Sequence, residues 1–136
     1  MATERRKHIR FSPKDNAYAA LGKINSKVGM IKDISIGGLA FEVTIDDEPQ
    51  SEIMPKVEIF LANNEFVLSN LPCTIIYKKP VQADSTNSTL TSPFKSSRYG
   101  LKFEELTKDQ VEKLVFFLKN YTTEIPATQS YIYCNC

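Results

Sequence analysis

The stretch Asp33-Ile34-Ser35-Ile36-Gly37-Gly38-Leu39-Ala40-Phe41 decides the fold, because it joins two predicted strands through a pair of glycines. After the glycines, apolar residues occupy every second position: Leu39, Phe41, Val43 and Ile45. Ala40, Glu42 and Thr44 lie between them, on the opposite face. This alternation is typical of a half-buried strand. An extended run over 28–34 precedes the glycines, so the stretch predicts two strands that neighbour each other.

The flanking sequence contains further short runs with strand character: 17–24, 56–61, 66–68, 73–77 and 99–103. Asn63-Asn64 predicts a hairpin turn between the second and third of these runs, because asparagine tolerates the left-handed conformation. In the fourth run, Cys73, Ile75 and Tyr77 are predicted to share one face. Short strands at this spacing predict a mainly β fold, a small antiparallel barrel of six to seven strands.

A C-terminal α-helix is predicted after the last strand. Thr107 and Gln110 have the spacing of a capping box, which starts a helix. The apolar stripe of this helix consists of Val111, Leu114, Val115 and Leu118, extended by Phe117 and Tyr121. An amphipathic helix packs such a stripe against an apolar surface. We expect that surface to be the barrel wall or mouth, with a dimer contact as the lesser alternative.

The 136 residues, 42% of them apolar, provide one core and therefore one domain. We expect three parts: a flexible basic arm over 1–12, a barrel with its helix over 13–121, and a poorly ordered tail over 122–136. The segment 80–97, rich in serine and threonine, is predicted to be a surface excursion between the two strands of a hairpin.

The formal net charge of +1 hides an uneven distribution. Residues 1–32 carry eight basic and two acidic side chains, a net of +6, and residues 33–65 carry one basic and eight acidic side chains, a net of −7. The near-neutral total excludes a protein that binds nucleic acid by bulk charge, and a generally polybasic membrane binder. No apolar run reaches the length of a membrane span, and the charged N-terminus does not have the pattern of a secretion signal. We therefore expect a cytoplasmic protein without stable membrane insertion.

The sequence offers little for metal binding or catalysis. Cys73 lies in an apolar run and is predicted to be a core residue. Cys134 and Cys136 together with the lone His8 do not complete a zinc site, so no metal is expected. The chain contains no glycine loop for phosphate, no nucleophile elbow and no basis for a serine triad. We therefore predict that the protein is not an enzyme.

The N-terminal arm contains Glu4-Arg5-Arg6-Lys7-His8-Ile9-Arg10, in which Arg6 and Arg10 have the spacing R-x-x-x-R. Two guanidinium groups at this spacing converge on one anion if the segment turns like a helix, or straddle a ligand if it is a loop. Each guanidinium binds phosphate in bidentate fashion, pairs with the O6 and N7 atoms of guanine, or stacks on a base. A solvated basic arm is the alternative interpretation.

The opening stretch contains the second motif, in which Asp33, Ser35 and Gly38 have the spacing D-x-S-x-x-G. In an extended backbone, Asp33 and Ser35 point to the same side. The carboxylate accepts from the N1–H and N2 edge of guanine or orients an arginine, and the hydroxyl donates to a phosphate. Gly37 and Gly38 allow a tight turn and close approach of a ligand to the backbone. An ordinary serine turn with a glycine pair is the alternative.

In this order and spacing, the two motifs resemble the PilZ domain family. The matching residues are Arg6, Arg10, Asp33, Ser35 and Gly38, followed by Leu39-Ala40-Phe41. Arg98-Tyr99-Gly100-Leu101-Lys102-Phe103 resembles the last strand of the family before its terminal helix. The resemblance covers roughly residues 4–121 and implies a split-barrel type of β-barrel, in agreement with the strand count.

The resemblance further implies a bacterial signal-transduction receptor for the second messenger cyclic di-GMP. Arg6 and Arg10 would clamp its phosphates and guanines, while Asp33, Ser35, Gly37 and Gly38 would line the barrel surface beneath it. Arg5 holds a position that can stack on guanine in this family, which implies a site able to take an intercalated ligand dimer. Ligand binding would fold the arm over the barrel and change the surface that a downstream protein partner reads.

Two other functions fit the fold. The nearer one is a PilZ-like adaptor that binds proteins without a ligand, which the presence of Arg6 and Arg10 disfavours. The other is an OB-like barrel that binds single-stranded nucleic acid. The acidic segment 33–65 disfavours that function, so we expect no nucleic-acid partner.

Overall fold

Alternating apolar and polar residues produce strands through most of the chain. A computed structural model describes residues 8–14, 16–22, 27–44, 54–81 and 96–126. The described residues form eight strands and one helix: β1 Phe11–Pro13, β2 Ala17–Leu21, β3 Lys27–Ser35, β4 Gly38–Val43, β5 Lys56–Leu61, β6 Val67–Pro80, β7 Ser97–Phe103, α1 Lys108–Tyr121 and β8 Thr122–Glu124.

Six of the described strands close into an antiparallel barrel in the order β2-β5-β6-β7-β4-β3, because β3 pairs back with β2. Outside this barrel, β1 pairs with β3 at Phe11 and Ile34, and β8 pairs along β1. The predicted mainly β fold, with a small antiparallel barrel and a C-terminal helix, is therefore confirmed.

The barrel interior is filled by the inward positions that the alternation predicts. Leu39, Phe41 and Val43 are at most 4% exposed. Phe41 stacks on Tyr99, with 5.4 Å between the ring centroids. Cys73 is fully buried, as predicted for a core residue. Burial of these apolar side chains supplies the main driving force for folding.

Strand β6 is longer than its prediction. The sequence indicates separate strands at 66–68 and 73–77, whereas the structure has one strand, Val67–Pro80. Asn70 lies in the gap between the two predicted strands and takes a left-handed φ of 63°. The predicted hairpin turn before β6 is present, and Asn64 takes a left-handed φ of 65° within it.

A bulge in β6 changes which side chains face the core. Ile76 is an extra residue in the ladder, because the register shifts between Ile75 and Tyr77. One extra residue reverses the inward and outward alternation, so Tyr77 lies against Gly100 on the outer face. The prediction that Tyr77 shares the inward face of Cys73 is wrong for this reason.

Helix α1 begins at the capping box predicted from Thr107 and Gln110. The Gln110 N–H donates to the Thr107 hydroxyl at 3.1 Å, and the Thr107 N–H donates to Gln110 Oε1 at 3.0 Å. The inward face of the helix consists of Leu114, Phe117 and Leu118, which are buried. The helix therefore packs on the barrel, as predicted.

Aromatic contacts hold the C-terminal half of the helix against Phe66, directly before β6. The ring centroid of Phe66 lies 5.1 Å from that of Phe117 and 5.9 Å from that of Tyr121. Val111, predicted at the start of the apolar stripe, is 36% exposed and lies at the margin of this packing.

The described parts of the predicted arm and tail pair with each other. Thr122–Glu124, which the sequence assigns to a poorly ordered tail, forms β8 against β1. The ladder continues where the Ile125 N–H donates to the Arg10 carbonyl at 2.9 Å. The boundaries differ from the prediction because strands of three residues are too short to show a periodic pattern.

Parts of the other predictions fall outside the described residues. They include Arg5 and Arg6, Ile45, and the C-terminal Cys134 and Cys136. The excursion 80–97 is described at its two ends, where β6 and β7 pair as far as Pro80 and Ser97, as expected for a hairpin. In the described ranges, no helix is long and apolar enough to cross a membrane. The same ranges hold no cluster of three or more histidine, cysteine or acidic side chains that could bind a metal ion.

Candidate ligand-binding site

A cleft of about 490 Å³ opens on the outer surface of strands β3, β4, β6 and β7. Its volume lies within the range of small-molecule pockets. Of the seven site residues predicted from the motifs, five line this cleft: Arg10, Asp33, Ser35, Gly37 and Gly38. The other two, Arg5 and Arg6, lie outside the described residues. The remaining lining residues are His8, Leu39, Ala40, Ile76, Tyr77, Gly100, Leu101, Lys102 and Phe103.

The floor of the cleft is a row of four residues across the sheet. Asp33 pairs with Ala40, Ala40 with Gly100, and Gly100 with Tyr77. Because neighbouring strands lie about 4.8 Å apart, the backbone of this row spans about 14 Å. The two middle residues, Ala40 and Gly100, have the smallest side chains, so little side-chain volume rises from the floor between the acidic end and the aromatic end.

A second row lies two residues further along β3, β4 and β7. Ser35 pairs with Gly38, Gly38 with Lys102, and Lys102 with Thr74. Lys102 is exposed and lines the cleft. The two rows together place a carboxylate and a hydroxyl on β3, and an aromatic ring and an ammonium group on β6 and β7.

A bulge in β3 brings Asp33 and Ser35 onto the outer face. The register shifts between Ile31 and Asp33, so Lys32 is the extra residue. Ile34, between the two polar residues, is fully buried in the core. Asp33 and Ser35 therefore point to the same side of the strand, as the extended backbone predicts, and both line the cleft.

The turn after Ser35 has the geometry of a serine turn. The Gly37 N–H donates to the Ser35 hydroxyl at 3.1 Å, and the Phe103 N–H donates to the Gly37 carbonyl at 2.8 Å. A Cβ atom on Gly37 would lie 2.4 Å from Cδ2 of His8, so the glycine lets the imidazole pack on the turn. An ordinary serine turn with a glycine pair, the alternative interpretation of this motif, is therefore present. The same turn holds Ser35 at the cleft.

Arg10 enters the cleft beside Asp33. Its Nη1 atom lies 3.9 Å from Asp33 Oδ2, and the two side chains are 23% and 25% exposed. The Arg10 backbone is held by the hydrogen bond from Ile125 at the start of β1. The Asp33 carboxylate therefore lies within ion-pair distance of a guanidinium group at the cleft.

Several residues line the cleft without a predicted ligand-binding role, among them His8, Tyr77, Gly100 and Lys102. Tyr77 is missed because the bulge in β6 leaves no periodic signal. Gly100 carries a usable signal, since a glycine inside a strand often marks a close approach of another group. A Cβ atom on Gly100 would lie 2.2 Å from Cε2 of Tyr77, so Tyr77 is the group that approaches.

The environment of Tyr77 favours its neutral phenol. Burial raises the pKa of Tyr77 above its ordinary value of 10.0, and the Asp33 carboxylate raises it further. Arg98 and Arg10 oppose this shift in the pKa. At neutral pH the hydroxyl group is therefore protonated and able to donate a hydrogen bond.

The raised pKa of Tyr77 predicts a loss of stability at alkaline pH. As pH rises through about 10, the unfolded chain releases the Tyr77 proton before the folded chain does, so the unfolding free energy falls. Urea unfolding of the wild type and of Tyr77→Phe at about pH 8 and about pH 11 measures this effect. We expect the wild type to lose more stability than the variant, because Tyr77 titrates only in the wild type. The other titrating groups are present in both proteins and contribute equally. Equal losses would contradict the stated environment of Tyr77.

An ionic row lies next to Tyr77 on the outer face. Arg98 donates from Nε and Nη2 to Glu42 Oε2 at 3.0 and 2.7 Å, and Lys32 Nζ lies 3.9 Å from Glu42 Oε1. Lys79 Nζ lies 5.2 Å from the Tyr77 ring centroid. Partly exposed ion pairs add little stability. The row contains three cations and one carboxylate, which is a local excess of positive charge beside the cleft.

A family comparison agrees with these motifs. Residues 4–120 match the model of the PilZ domain. The chain belongs to the PilZ domain family. The resemblance found in the sequence is therefore confirmed, and the match spans the barrel and nearly all of helix α1.

Solved structures of three other proteins share the fold of this PilZ domain. The PilZ domain of YcgR from Escherichia coli, determined with c-di-GMP, is 19% identical with a TM-score of 0.59, and 85% of this chain and 92% of that chain are covered. The complex of MrkH from K. pneumonia with c-di-GMP is 18% identical with a TM-score of 0.64, covering 87% and 52%. The motility inhibitor MotI of Bacillus subtilis is 14% identical with a TM-score of 0.54, covering 86% and 50%.

The alignment with MrkH and with MotI extends over about half of those longer chains. At such low identities the likeness concerns the fold. No curated protein sequence matches the chain significantly.

Proposed function

We propose that this PilZ domain is a bacterial receptor module that binds cyclic di-GMP in the cleft over β3, β4, β6 and β7. One observation carries the proposal: Arg10 of the first motif and Asp33, Ser35 and Gly38 of the second line the same cleft of about 490 Å³. Two motifs that are distant in sequence thus meet where a small-molecule ligand fits. The c-di-GMP complexes of the YcgR domain and of MrkH support the proposal.

The chemistry of the cleft suits a ligand with two phosphates and two guanines. Arg10, with Arg6 from the arm, neutralises the phosphates through charge-assisted hydrogen bonds. Asp33 accepts hydrogen bonds from the N1–H and N2 edge of a guanine, and the Ser35 hydroxyl donates to a phosphate. Arg5 stacks on a guanine and allows a second, intercalated ligand molecule to bind. No metal ion or other cofactor takes part.

Ligand binding, in this proposal, draws the basic segment 1–7 over the cleft. Arg10 directly precedes β1 and is anchored to Ile125, so the preceding residues start beside the cleft. The positive charge of segment 1–7 balances the two phosphates of the ligand. The new surface, formed by the arm and the ligand, is then read by a downstream protein partner.

The proposed module is a receptor and not an enzyme, and it acts in the cytoplasm as the sequence predicts. It binds neither nucleic acid nor membrane. A ligand-independent adaptor differs from it in a measurable way, because such an adaptor would capture its partner equally well with and without cyclic di-GMP.

Calorimetric titration with cyclic di-GMP tests the proposal, with single-stranded DNA as a parallel titrant. We expect saturable binding of cyclic di-GMP, and the stoichiometry distinguishes one ligand from an intercalated dimer. Hydrogen exchange in the bound state should slow in β3, β4 and β7, which form the cleft. Absence of cyclic di-GMP binding would contradict the proposal. A steeply salt-dependent affinity for the DNA would favour the nucleic-acid function instead.

A further inference from the structure

Four apolar side chains form a row across the outer surface of strands β3, β2, β5 and β6. Met30 pairs with Tyr18, Tyr18 with Phe60, and Phe60 with Val67. We call these four residues the apolar row. Because neighbouring strands lie about 4.8 Å apart, the backbone of the apolar row spans about 14 Å. None of the four residues lines the cleft, so the apolar row is a separate surface feature of the barrel.

The side chains of the apolar row point away from the barrel interior. The residues next to them along the strands are buried in the core: Ala17, Ala19, Ile59, Leu61 and Leu68. At the two ends of the apolar row, Met30 and Val67 are 48% and 46% exposed. Between them, Tyr18 stacks on Phe60 with 5.8 Å between the ring centroids, and both side chains are partly exposed. Contiguous exposed apolar surface of this kind is typical of an interaction site.

The bulge at Lys32 separates the apolar row from the cleft along β3. Before the bulge, Met30 is exposed on the outer face, and Val28 beside it is 43% exposed. After the bulge, Asp33 and Ser35 line the cleft. Because a bulge bends its strand and increases the local twist, the two halves of β3 serve two different surfaces. A partner on the apolar row therefore leaves the cleft open.

The two ends of the apolar row carry opposite charge. At the β3 end, the side chain of Lys32 lies beyond Met30 and is 40% exposed. Lys32 and Arg98 share the carboxylate of Glu42, so an excess of positive charge remains among these described side chains. At the other end, Glu65 lies two residues before β6 and is exposed.

These charges favour a second copy of the chain as the partner, because a two-fold axis can bring each end against its opposite. With the axis parallel to the strands, Met30 of one copy lies against Val67 of the other, and Lys32 lies against Glu65. With the axis parallel to the apolar row, Glu65 would lie near Glu58 of the other copy, which is an unfavourable contact of like charges. The first arrangement is therefore self-complementary in both apolar surface and charge.

We propose that the apolar row is a self-association surface through which two copies of this chain form a weak dimer with two-fold symmetry. The outer surface of a closed barrel is convex, so two such faces meet over a small area. Protein interfaces at the small end of the size range are weak and transient. The dimer forms without ligand, so this inference does not depend on the proposed function.

Sedimentation velocity of the ligand-free chain over about a 100-fold range of concentration tests the dimer. We expect the average sedimentation coefficient to rise with concentration toward that of a dimer. Met30→Ser and Val67→Ser should each weaken association about 10-fold, because a symmetric interface loses the apolar side chain twice. A chain that stays monomeric at every concentration would overturn the proposal.

Phe116→Ser is the matched control for these two variants. Phe116 is similarly exposed, at 51%, but lies on helix α1. This variant should associate like the wild type. Loss of association in Phe116→Ser, with association retained in Met30→Ser and Val67→Ser, would overturn the proposal and place the contact on the helix. Thermal unfolding of all variants checks that each is folded.

Charge reversal tests the arrangement of the two copies. Lys32→Glu and Glu65→Lys should each weaken association about threefold or more, because each change places like charges against each other. The double variant exchanges the two charges and should associate more tightly than either single variant. A double variant that associates no better than the single variants would overturn the two-fold arrangement.

Titration with cyclic di-GMP checks that the two surfaces are separate. Met30→Ser should bind this ligand like the wild type, because Met30 does not line the cleft. Failure of the wild type to bind cyclic di-GMP would contradict the proposed function and leave the dimer standing. Association of the wild type that is absent without ligand would overturn the dimer as proposed.

Discussion

Replacing Arg10 with alanine is expected to weaken cyclic di-GMP binding by about 100-fold or more. A bidentate contact to a phosphate contains two charge-assisted hydrogen bonds, each worth about 1.5–3 kcal/mol. The substitution also removes a positive charge 3.9 Å from Asp33, so the Asp33 carboxylate would face the ligand phosphates without the Arg10 guanidinium. Both effects act against an anionic ligand. Calorimetry at a fixed salt concentration measures the loss.

Two controls separate the guanidinium from charge and from folding. Arg10→Lys keeps the charge but loses the planar fork, so its affinity should lie between those of the wild type and the alanine variant. Lys113→Ala also removes one positive charge, but from the exposed face of α1, where Lys113 pairs with Asp109 at 3.5 Å. It should leave binding unchanged. The hydrogen bond from Ile125 uses the Arg10 backbone, so all variants should fold. Binding of Arg10→Ala within about threefold of the wild type would show that Arg10 does not hold the ligand.

The motif half of the cleft could be predicted because its signals are local. Asp33 and Ser35 are two residues apart, and a strand places such residues on one side whatever its partners are. Gly37 and Gly38 mark the turn that follows. The bulge at Lys32 was not visible in the sequence, but it lies before both residues and leaves their relation unchanged. The sequence therefore indicates correctly that these residues lie together on one side of the sheet.

The β6–β7 half could not be predicted because its signals are not local. The outward position of Tyr77 depends on the extra residue Ile76, and a bulge is specified by the pairing with β7 rather than by the sequence of β6. Gly100 can be recognised as the pairing partner of Tyr77 only after the register of β6 and β7 is known. In the same way, β8 becomes a strand only through its pairing with β1.

The helix allows a stability prediction that compares two neighbouring residues. Phe117 is fully buried and contacts Phe66 at a centroid distance of 5.1 Å, whereas Phe116 is 51% exposed. Phe117→Ala should lower the unfolding free energy by about 3–5 kcal/mol, because it leaves a cavity between α1 and the barrel. This is a large part of the 5–15 kcal/mol or so that stabilises a typical domain.

Phe116→Ala is the matched control, since it removes the same side chain one position earlier on the same helix. It should lower the unfolding free energy by about 1 kcal/mol or less, because half of the Phe116 side chain is already exposed to water. Urea unfolding of both variants measures the difference in unfolding free energy. Equal m-values would show that the two unfolding transitions can be compared directly. Phe116 also contacts Phe66 and Tyr121 within the chain, at centroid distances of 6.3 and 6.2 Å. A cost for Phe116→Ala that equals that of Phe117→Ala would exceed what these partly exposed contacts supply, and it would indicate the dimer contact left as the lesser alternative for this helix. A concentration-dependent unfolding midpoint would then be expected, because dissociation would accompany unfolding.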